Sequence, residues 1–325
     1  MNDMDMTEFK DLSDGFMRST GRIFVGDPAV LRKMLCAALC GGHILFEDLP
    51  GLGKTMLAKV FAKATGCRWG RVQFTPDIMP ADILGTRVWV PKQSEFVLEK
   101  GPILTNILLA DEINRAPPKT QSALLEAMEE RQVTIEGTTY RLDRPFFVIA
   151  TQNPIEHEGT FPLPEAQMDR FLVRMSIGYA RNIDDEMEIL RRRISWKGDD
   201  PVAALEPVIS KDQFTWMQDR LEEVFVHESI LKYVSSMVRG TREHYAAEVG
   251  SSPRGGLALL KLSRAHAAVM GRDFVIPDDV KLFAHEALDH RIVLGMEYEL
   301  EERMSSRVVV DEVLKGTEVP KNYRP

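Results

Sequence analysis

A short run at positions 51–55, Gly-Leu-Gly-Lys-Thr, has the residue types of a phosphate-binding loop. Gly51 and Gly53 allow the backbone to approach a ligand closely and to turn its N–H groups towards it. Lys54 can reach the β- and γ-phosphates of a nucleotide, and the Thr55 hydroxyl can bind Mg²⁺. An apolar run precedes the loop and a helix-forming segment follows it, so the positive end of that helix would add to the site.

The loop departs from the usual pattern G-x-x-x-x-G-K-[ST] at one position, because Asp48 stands where the first glycine is expected. A glycine turn that binds nothing is the alternative interpretation. Under the nucleotide interpretation, the loop residues that contact the nucleotide are Asp48, Pro50, Gly51, Leu52, Gly53, Lys54, Thr55 and Met56.

Two adjacent carboxylates, Asp111 and Glu112, follow a second apolar run. A carboxylate at the end of a strand can hold Mg²⁺ through its water shell, which suits Asp111. A neighbouring carboxylate can polarise an attacking water, which suits Glu112. A buried strand that leads into an acidic loop would explain this run alone. Its combination with the lysine loop favours a nucleoside triphosphatase.

Three further polar residues are candidates for the same site. Asn153 could orient the attacking water or touch the γ-phosphate, but an Asn before Pro is equally at home in a turn. Arg170 precedes an apolar run, where a surface ion pair is the simpler explanation. Arg254 opens a helix after Ser252 and Pro253, so a helical lid could bring its charge to a phosphate.

The elements that would position these residues alternate between strands and helices in the first half of the chain. Short apolar runs predict strands at 43–46, 71–75, 106–111, 146–151 and 171–177. Helical periods predict a peripheral helix over 1–22 and further helices at 28–39, 55–64 and 118–130. Apolar strands that alternate with helices indicate a mostly parallel sheet covered on both faces, which is an α/β fold.

Two segments and the second half of the chain do not follow this alternation. The segments 83–99 and 131–142 are predicted as β-hairpins. After Gly178 the helical period dominates, with a linker at 199–207 and helices predicted at 183–196, 211–223, 227–245, 254–270 and 277–289. We therefore expect an α/β nucleotide-binding core over 1–180 and an all-helical lid over 181–325.

Composition limits the function classes. The chain has 325 residues and a net charge of −8, which disfavours nucleic-acid binding through bulk electrostatics. Its apolar runs are shorter than the about 18 residues of a membrane span, and its first residues are unlike a signal peptide. Cys36 and Cys40, one helical turn apart, are predicted as buried thiols. With Cys67 they make an odd count without a metal pattern, which favours a reducing cytoplasm.

The motifs together resemble the MoxR family of AAA+ ATPases. The resemblance rests on the blocks at 51–55, 109–119, 150–156 and 164–171, and it extends from about Gly26 to Arg291. Asp48 is a mark of that family rather than an exception. The resemblance implies an AAA+ P-loop core with hairpin inserts, followed by a helical lid.

The resemblance also implies roles that spacing does not show. Asn153 corresponds to sensor 1, and Arg254 to sensor 2, which contacts the γ-phosphate within the same subunit. Arg170 corresponds to the arginine finger that reaches the nucleotide of a neighbouring subunit. Val25 and Gly26 correspond to the position that flanks the adenine. A finger supplied by a neighbour implies a homo-oligomeric ring, usually a hexamer.

The implied activity is Mg²⁺-dependent ATP hydrolysis to ADP, with Glu112, Asn153, Arg170 and Lys54 as the catalytic residues. Its use would be to remodel or activate partner proteins, among them proteins with a von Willebrand factor A domain, or to help insert metals. The alternatives are the ATPase subunit of a metal chelatase, a nucleotide-gated binding module whose slow hydrolysis is a timer, and a P-loop kinase. The helical second half disfavours the kinase. The sequence does not identify the partner protein.

Overall fold

The architecture is that of a computed structural model, which describes residues 6–92, 94–154, 159–196, 201–203, 205–299 and 303–324. The first five residues of the predicted helix over 1–22, part of the predicted linker at 199–207 and the end of the block at 150–156 lie outside the described residues.

The strands, numbered in chain order, include both the predicted sheet and the predicted hairpins. They are β1 (Ile44–Glu47), β2 (Trp69–Gln73), β3 (Gly85–Val90), β4 (Glu95–Lys100), β5 (Ile107–Asp111), β6 (Gln132–Ile135), β7 (Thr138–Arg141), β8 (Phe147–Gln152), β9 (Val173–Met175), β10 (Ala247–Val249) and β11 (Val293–Leu294).

The helices occupy both halves of the chain. They are α1 (Met6–Gly21), α2 (Pro28–Leu39), α3 (Lys54–Ala64), α4 (Pro80–Leu84), α5 (Pro118–Glu130), α6 (Glu165–Met168), α7 (Ile183–Trp196), α8 (Lys211–Arg220), α9 (Glu228–Glu243), α10 (Pro253–Val269), α11 (Pro277–Lys281), α12 (Ala284–Leu288), α13 (Met296–Glu299) and α14 (Ser306–Gly316).

A parallel sheet with the strand order β2-β5-β8-β1-β9 forms the centre of the first half. Both of its faces are buried, which explains why its strands are continuous apolar runs. On β5, Ile107 and Leu109 pack with α2 and α3, whereas Leu108 and Ala110 pack with α5 on the other face. The predicted α/β fold is confirmed.

The parallel direction decides where the candidate residues lie. The carboxyl ends of parallel strands meet at one edge of a sheet, which we call the carboxyl edge; the opposite one is the amino edge. The glycine loop follows β1, the carboxylate pair ends β5, and Asn153 follows β8, so all three belong to the carboxyl edge.

The predicted hairpins are present as the antiparallel pairs β3–β4 and β6–β7. The second half, predicted to be all-helical, also contains the short antiparallel pair β10–β11. Three predictions about single elements also need correction. Strand β2 lies two residues earlier than predicted, because it is an edge strand whose only buried residue is Val72, so its apolar pattern is weak. The helix predicted at 277–289 is divided into α11 and α12 at Phe283, whose backbone leaves the helical region while its side chain is fully buried.

The third correction concerns helix α1, which was predicted to be peripheral but belongs to the core. Phe9 and Phe16 lie two turns apart on one face and are completely buried. The ring of Phe16 contacts that of Phe61 on α3, with a centroid distance of 5.3 Å, and α1 also packs on α10 of the helical half. The helix therefore joins the two halves of the molecule.

The helical half packs directly against the sheet half through one apolar cluster. Phe61 on α3 and Phe214 on α8 have their ring centroids 6.3 Å apart. Helix α10 packs on α2, and its buried residues, such as Leu259, belong to the same cluster as Phe147 of the sheet. The division of the chain near residue 180 stays a prediction, since the core is shared.

Two smaller observations complete the fold. No helix in the described ranges has both the length and the apolar character needed to cross a membrane. Cys36, Cys40 and Cys67 are free thiols; Cys36 is buried, as predicted, whereas Cys40 is only partly buried. Burial raises the pKa of the Cys36 thiol.

Candidate nucleotide site

The glycine loop has the conformation that binding of a phosphate requires. Gly51 and Gly53 have φ angles of +87° and +79°, a region that favours glycine. Within the described part of the chain, a Cβ at either position would have no heavy atom within 4 Å, so the space beside the loop is open. No described side chain caps the start of α3. Its first N–H groups are therefore available to an anion.

Lys54 is held over this loop. Its Nζ donates a hydrogen bond of 2.8 Å to the carbonyl oxygen of Asp48. Partial burial lowers the pKa of Lys54, while the negative charges of Asp48, Asp111 and Glu112 act in the opposite direction. These carboxylates favour the ammonium form that a phosphate needs.

The Asp48 side chain is hydrogen-bonded to the chain that leaves β9, and its predicted contact with the nucleotide stays a prediction. Its buried carboxylate accepts hydrogen bonds from the Ser176 hydroxyl at 2.6 Å and from the backbone N–H groups of Ile177 at 2.8 Å and Gly178 at 3.3 Å. The carboxylate therefore ties the glycine loop to the segment that leaves β9. A glycine at this position could not make this connection.

The carboxylate pair is already engaged by its neighbours. Asp111 Oδ1 accepts a hydrogen bond of 2.7 Å from the Thr151 hydroxyl, and Oδ2 accepts one of 2.8 Å from Arg71 Nη2. Glu112 Oε2 accepts one of 2.9 Å from the side-chain amide of Gln73. Glu112 also has a positive φ of 59°, which costs a non-glycine residue energy and is common at functional sites.

These residues surround one cavity of about 380 Å³ at the carboxyl edge. Its lining residues are Pro50, Gly51, Gly53, Lys54, Thr55, Arg71, Asp111, Glu112 and Asn153. Most of the predicted loop and carboxylate residues are thus brought together. Sequence reasoning missed Arg71, although its alternation with Gln73 on β2 places both side chains on one face beside the end of β5.

The chemistry of the cavity fits a magnesium–nucleotide complex. Backbone N–H groups and Lys54 supply donors for phosphate oxygens. Thr55 and Asp111 supply oxygen atoms, which are the ligands that Mg²⁺ prefers. The open space beside the glycines gives the phosphates access.

Val25 and Gly26 lie between α1 and α2, next to α7. The carbonyl oxygen of Phe24 accepts a hydrogen bond of 3.4 Å from Arg192 on α7, and Arg181 forms an ion pair with Asp27. Neither Val25 nor Gly26 is among the described residues that line the cavity. Their contact with an adenine stays a prediction, as does any nucleotide contact of Leu52 and Met56.

Arg170 and Arg254 lie together at the amino edge. Glu129, near the end of α5, binds both: its Oε1 is 2.6 Å from Arg254 Nη2, and its Oε2 is 3.2 Å from Arg170 Nη1. The preceding residue, Met128, accepts a hydrogen bond of 3.1 Å from His43, which immediately precedes β1. The strands of the sheet have three to six residues. At about 3.3 Å per residue, roughly 10–20 Å separates the two edges.

This placement conflicts with the prediction that Arg254 contacts a phosphate in its own subunit. The start of α10 is anchored to the amino edge by Asp169, which precedes β9. Asp169 accepts hydrogen bonds from the Ser252 hydroxyl at 3.3 Å and from Arg291 Nε at 2.6 Å. The helical half is therefore attached beside Arg170, and Arg254 follows it there.

The strand order and the site together define a class of protein. Strand β8 lies between the strand of the glycine loop and the strand of the carboxylates, and a helical lid follows the sheet. Such an arrangement is that of a P-loop nucleotide-binding protein with the additional-strand core and lid of AAA+ proteins.

Comparison with known proteins agrees with this class. Residues 43–173 match the ATPase family associated with various cellular activities (AAA), and residues 239–313 match the AAA lid domain. The chain is 45% identical over 299 residues to the uncharacterized protein YeaC of Bacillus subtilis, with 92% of each chain covered. It is 42% identical over 308 residues to the chaperone MoxR1 of Mycobacterium tuberculosis, with 92% of this chain and 80% of that one covered.

A solved structure shows the same architecture. The crystal structure of a protein from Cytophaga hutchinsonii, which carries a provisional ATPase assignment, superposes with a TM-score of 0.90 and 37% sequence identity, covering 98% of this chain and 97% of that chain. The chain belongs to the MoxR family of AAA+ ATPases.

Proposed function

We propose that this protein hydrolyses ATP in a head-to-tail ring of identical subunits. The division of the site between two edges of the sheet carries the proposal. The glycine loop and the carboxylates lie at the carboxyl edge, whereas Arg170 and Arg254 lie at the amino edge. A second copy of the chain would bring its arginines to these phosphates, and a head-to-tail contact of this kind closes into a ring when its rotation permits.

Within one subunit, the cavity residues have distinct tasks. Lys54 and the N–H groups at the start of α3 bind phosphate oxygens, and Thr55 with Asp111 would hold Mg²⁺. The metal ion supplies positive charge that stabilises the γ-phosphate during transfer. Glu112 accepts a hydrogen bond from the attacking water and polarises it. Asn153 donates a hydrogen bond to that water or to the γ-phosphate.

The neighbouring subunit supplies the remaining charge. Arg170 acts as the finger, and Arg254 acts beside it rather than within its own subunit, because Glu129 holds the two guanidinium groups together. An arginine supplied by a neighbour contributes on the order of 10³-fold in rate. Hydrolysis should therefore depend on assembly.

An experiment with mixed subunits tests the division of the site. Lys54→Ala removes the nucleotide contact but keeps both arginines, whereas Arg170→Ala keeps the loop but removes the finger. Each variant alone should lose at least 90% of the ATPase rate. An equimolar mixture should regain activity, because some intact loops then face intact arginines.

The control is Arg144→Ala, which removes an exposed arginine paired with Asp219 and should leave the rate unchanged. If the mixture of inactive variants stays inactive while both variants assemble, or if Arg170→Ala alone hydrolyses ATP like the parent, the arginines do not act in a neighbouring site.

The exposed β3–β4 hairpin supports work on a protein partner. Trp89 and Phe96 are 48% and 63% exposed, and their rings contact each other with a centroid distance of 5.2 Å. Exposed aromatic pairs of this size are typical of protein-contacting surfaces. We infer a chaperone-like role in which hydrolysis remodels or activates a partner, as the name of MoxR1 suggests for that relative. A von Willebrand factor A domain protein is the partner class we propose.

A metal-chelatase ATPase subunit is the second candidate function. It is favoured by 30% identity over 193 residues to the magnesium-chelatase 38 kDa subunit of Acidiphilium rubrum, which covers 57% of this chain. Glu112→Gln should bind ATP without turnover and so retain the partner for isolation. A retained chelatase subunit would favour this second function, and a retained von Willebrand factor A domain protein the first.

A further inference from the structure

Arg71 also lines the cavity, but the proposed mechanism of hydrolysis assigns it no role. Its Nη2 donates one hydrogen bond of 2.8 Å to Asp111 Oδ2 and another of 2.8 Å to the side-chain oxygen of Gln73. The arginine side chain is 44% exposed, while that of Asp111 is only 12% exposed. The guanidinium can therefore move more freely than the carboxylate it binds.

Arg71 and a metal ion compete for the same carboxylate. The Thr151 hydroxyl already occupies Asp111 Oδ1, so the oxygen facing the cavity is the one that Arg71 holds. An Mg²⁺ ion that uses this oxygen through its water shell would need the lone pairs that Arg71 now occupies, and the two positive charges would repel each other. Arrival of Mg²⁺ at Asp111 should therefore displace the guanidinium.

A phosphate oxygen of the nucleotide is the new partner expected for the displaced guanidinium. Arg71 lines the same cavity as Lys54 and Thr55, so the phosphates of a bound nucleotide lie within its surroundings. Arginine binds phosphate oxygens well, because its fork of N–H donors matches their geometry. Arg254, the cation predicted to act in the same subunit, is instead at the amino edge.

We propose that Arg71 is an exchange cation, which pairs with Asp111 before Mg²⁺ binds and with a phosphate oxygen of the nucleotide afterwards. This inference rests on the proposed magnesium–nucleotide site. A purely structural ion pair between β2 and β5 is the competing explanation. It predicts that loss of Arg71 lowers stability without changing how the metal binds.

Two binding measurements on the full-length chain test the exchange without hydrolysis. The first follows Mn²⁺, in place of Mg²⁺, by electron paramagnetic resonance in the absence of nucleotide, where Arg71 acts only as a competitor for Asp111. The second measures the affinity for a non-hydrolysable ATP analogue at saturating Mn²⁺. The variant is Arg71→Gln, and the matched control is Arg68→Gln, just before the same strand, whose arginine pairs with exposed Asp143 away from the cavity.

If Arg71 is an exchange cation, its loss should raise the affinity for Mn²⁺ and lower the affinity for the ATP analogue. In Arg71→Gln, Mn²⁺ should half-saturate the site at a concentration about threefold to fivefold lower, because its competitor is gone. The affinity for the analogue at saturating Mn²⁺ should weaken about tenfold, because a phosphate ligand is lost. Arg68→Gln should change neither value. An unchanged or higher half-saturation point, or an unchanged analogue affinity, would overturn the proposal.

Asp111→Asn separates failure of this inference from failure of the proposed site. If Asp111→Asn abolishes Mn²⁺ binding while Arg71→Gln has no effect on it, the metal site stands and the exchange is wrong. If Asp111→Asn leaves Mn²⁺ binding intact, Asp111 is not the metal ligand, and the proposed site and the exchange fail together.

Discussion

At the scale of single residues, the most informative side chain is Asp48. It replaces a glycine of the usual loop pattern, and its three hydrogen bonds connect the loop to the exit of β9. A buried carboxylate that accepts backbone N–H groups is expensive to remove, since the donors are then left without partners. Asp48 thus couples the glycine loop to the chain that leads into the helical half.

Asp48→Ala should lower the free energy of unfolding by about 2–3 kcal/mol and weaken nucleotide binding, because the loop loses its anchor. Ser176→Ala removes only one donor of the group and should cost about 1 kcal/mol. Urea denaturation of the two single variants and the double variant measures the coupling. Additive effects of the two substitutions would show that the hydrogen bond between these side chains contributes nothing.

At the scale of elements, α1 shows how a helix at the start of the chain can belong to the core. Its buried aromatic residues lie on one face, against α3 and the helical half. The sequence predicts the helix correctly but not its depth, because the amphipathic period does not say which surface the apolar face will meet.

Phe16→Ala should lower the free energy of unfolding by about 3–5 kcal/mol, because a fully buried ring that contacts Phe61 is replaced by a cavity. Asp11→Ala, at an exposed position of the same helix, is the control and should change it by less than about 0.5 kcal/mol. Equal effects of the two substitutions in urea denaturation would mean that α1 is peripheral after all.

At the scale of the whole molecule, the proposed ring requires a surface on the carboxyl-edge side that a second copy can cover. Helix α7 provides an apolar stripe there: Ile183, Leu190 and Ile194 are 74%, 64% and 77% exposed. On its other side, Arg192 donates hydrogen bonds to the carbonyl oxygens of Gly21 and Phe24. The stripe therefore lies near the segment expected to flank the adenine.

Replacement of Leu190 and Ile194 together by Glu should weaken assembly and reduce the ATPase rate per subunit at least tenfold at low protein concentration. The physical reason is that two charges would be buried in the subunit contact. Light scattering measures the assembly, and Leu231→Glu, at an exposed leucine on α9 far along the chain from Arg254, is the control. Unchanged particle mass in the double variant would show that α7 lies outside the subunit contact.

Some features of the candidate site depend on residues close in sequence, and others on residues far apart in sequence. Only the first kind could be predicted. The glycine loop, the carboxylate pair and Asn153 each follow a strand that its own apolar run reveals. Parallel strands then bring them to one edge whatever the details of packing. The contacts of Asp48 and Arg71 depend on side chains of strands that are distant in sequence, so no local pattern shows them.

The α/β class, the two hairpins, the mainly helical second half and most residues of the cavity follow from the sequence alone, because local periodicity and strand direction suffice for these. The location of Arg254 follows from the packing of the folded chain and from no local pattern. Its position depends on how the helical half packs, through Asp169, against the amino edge of the sheet. Such packing joins faces far apart in the chain, and no spacing of residues encodes the choice between two edges.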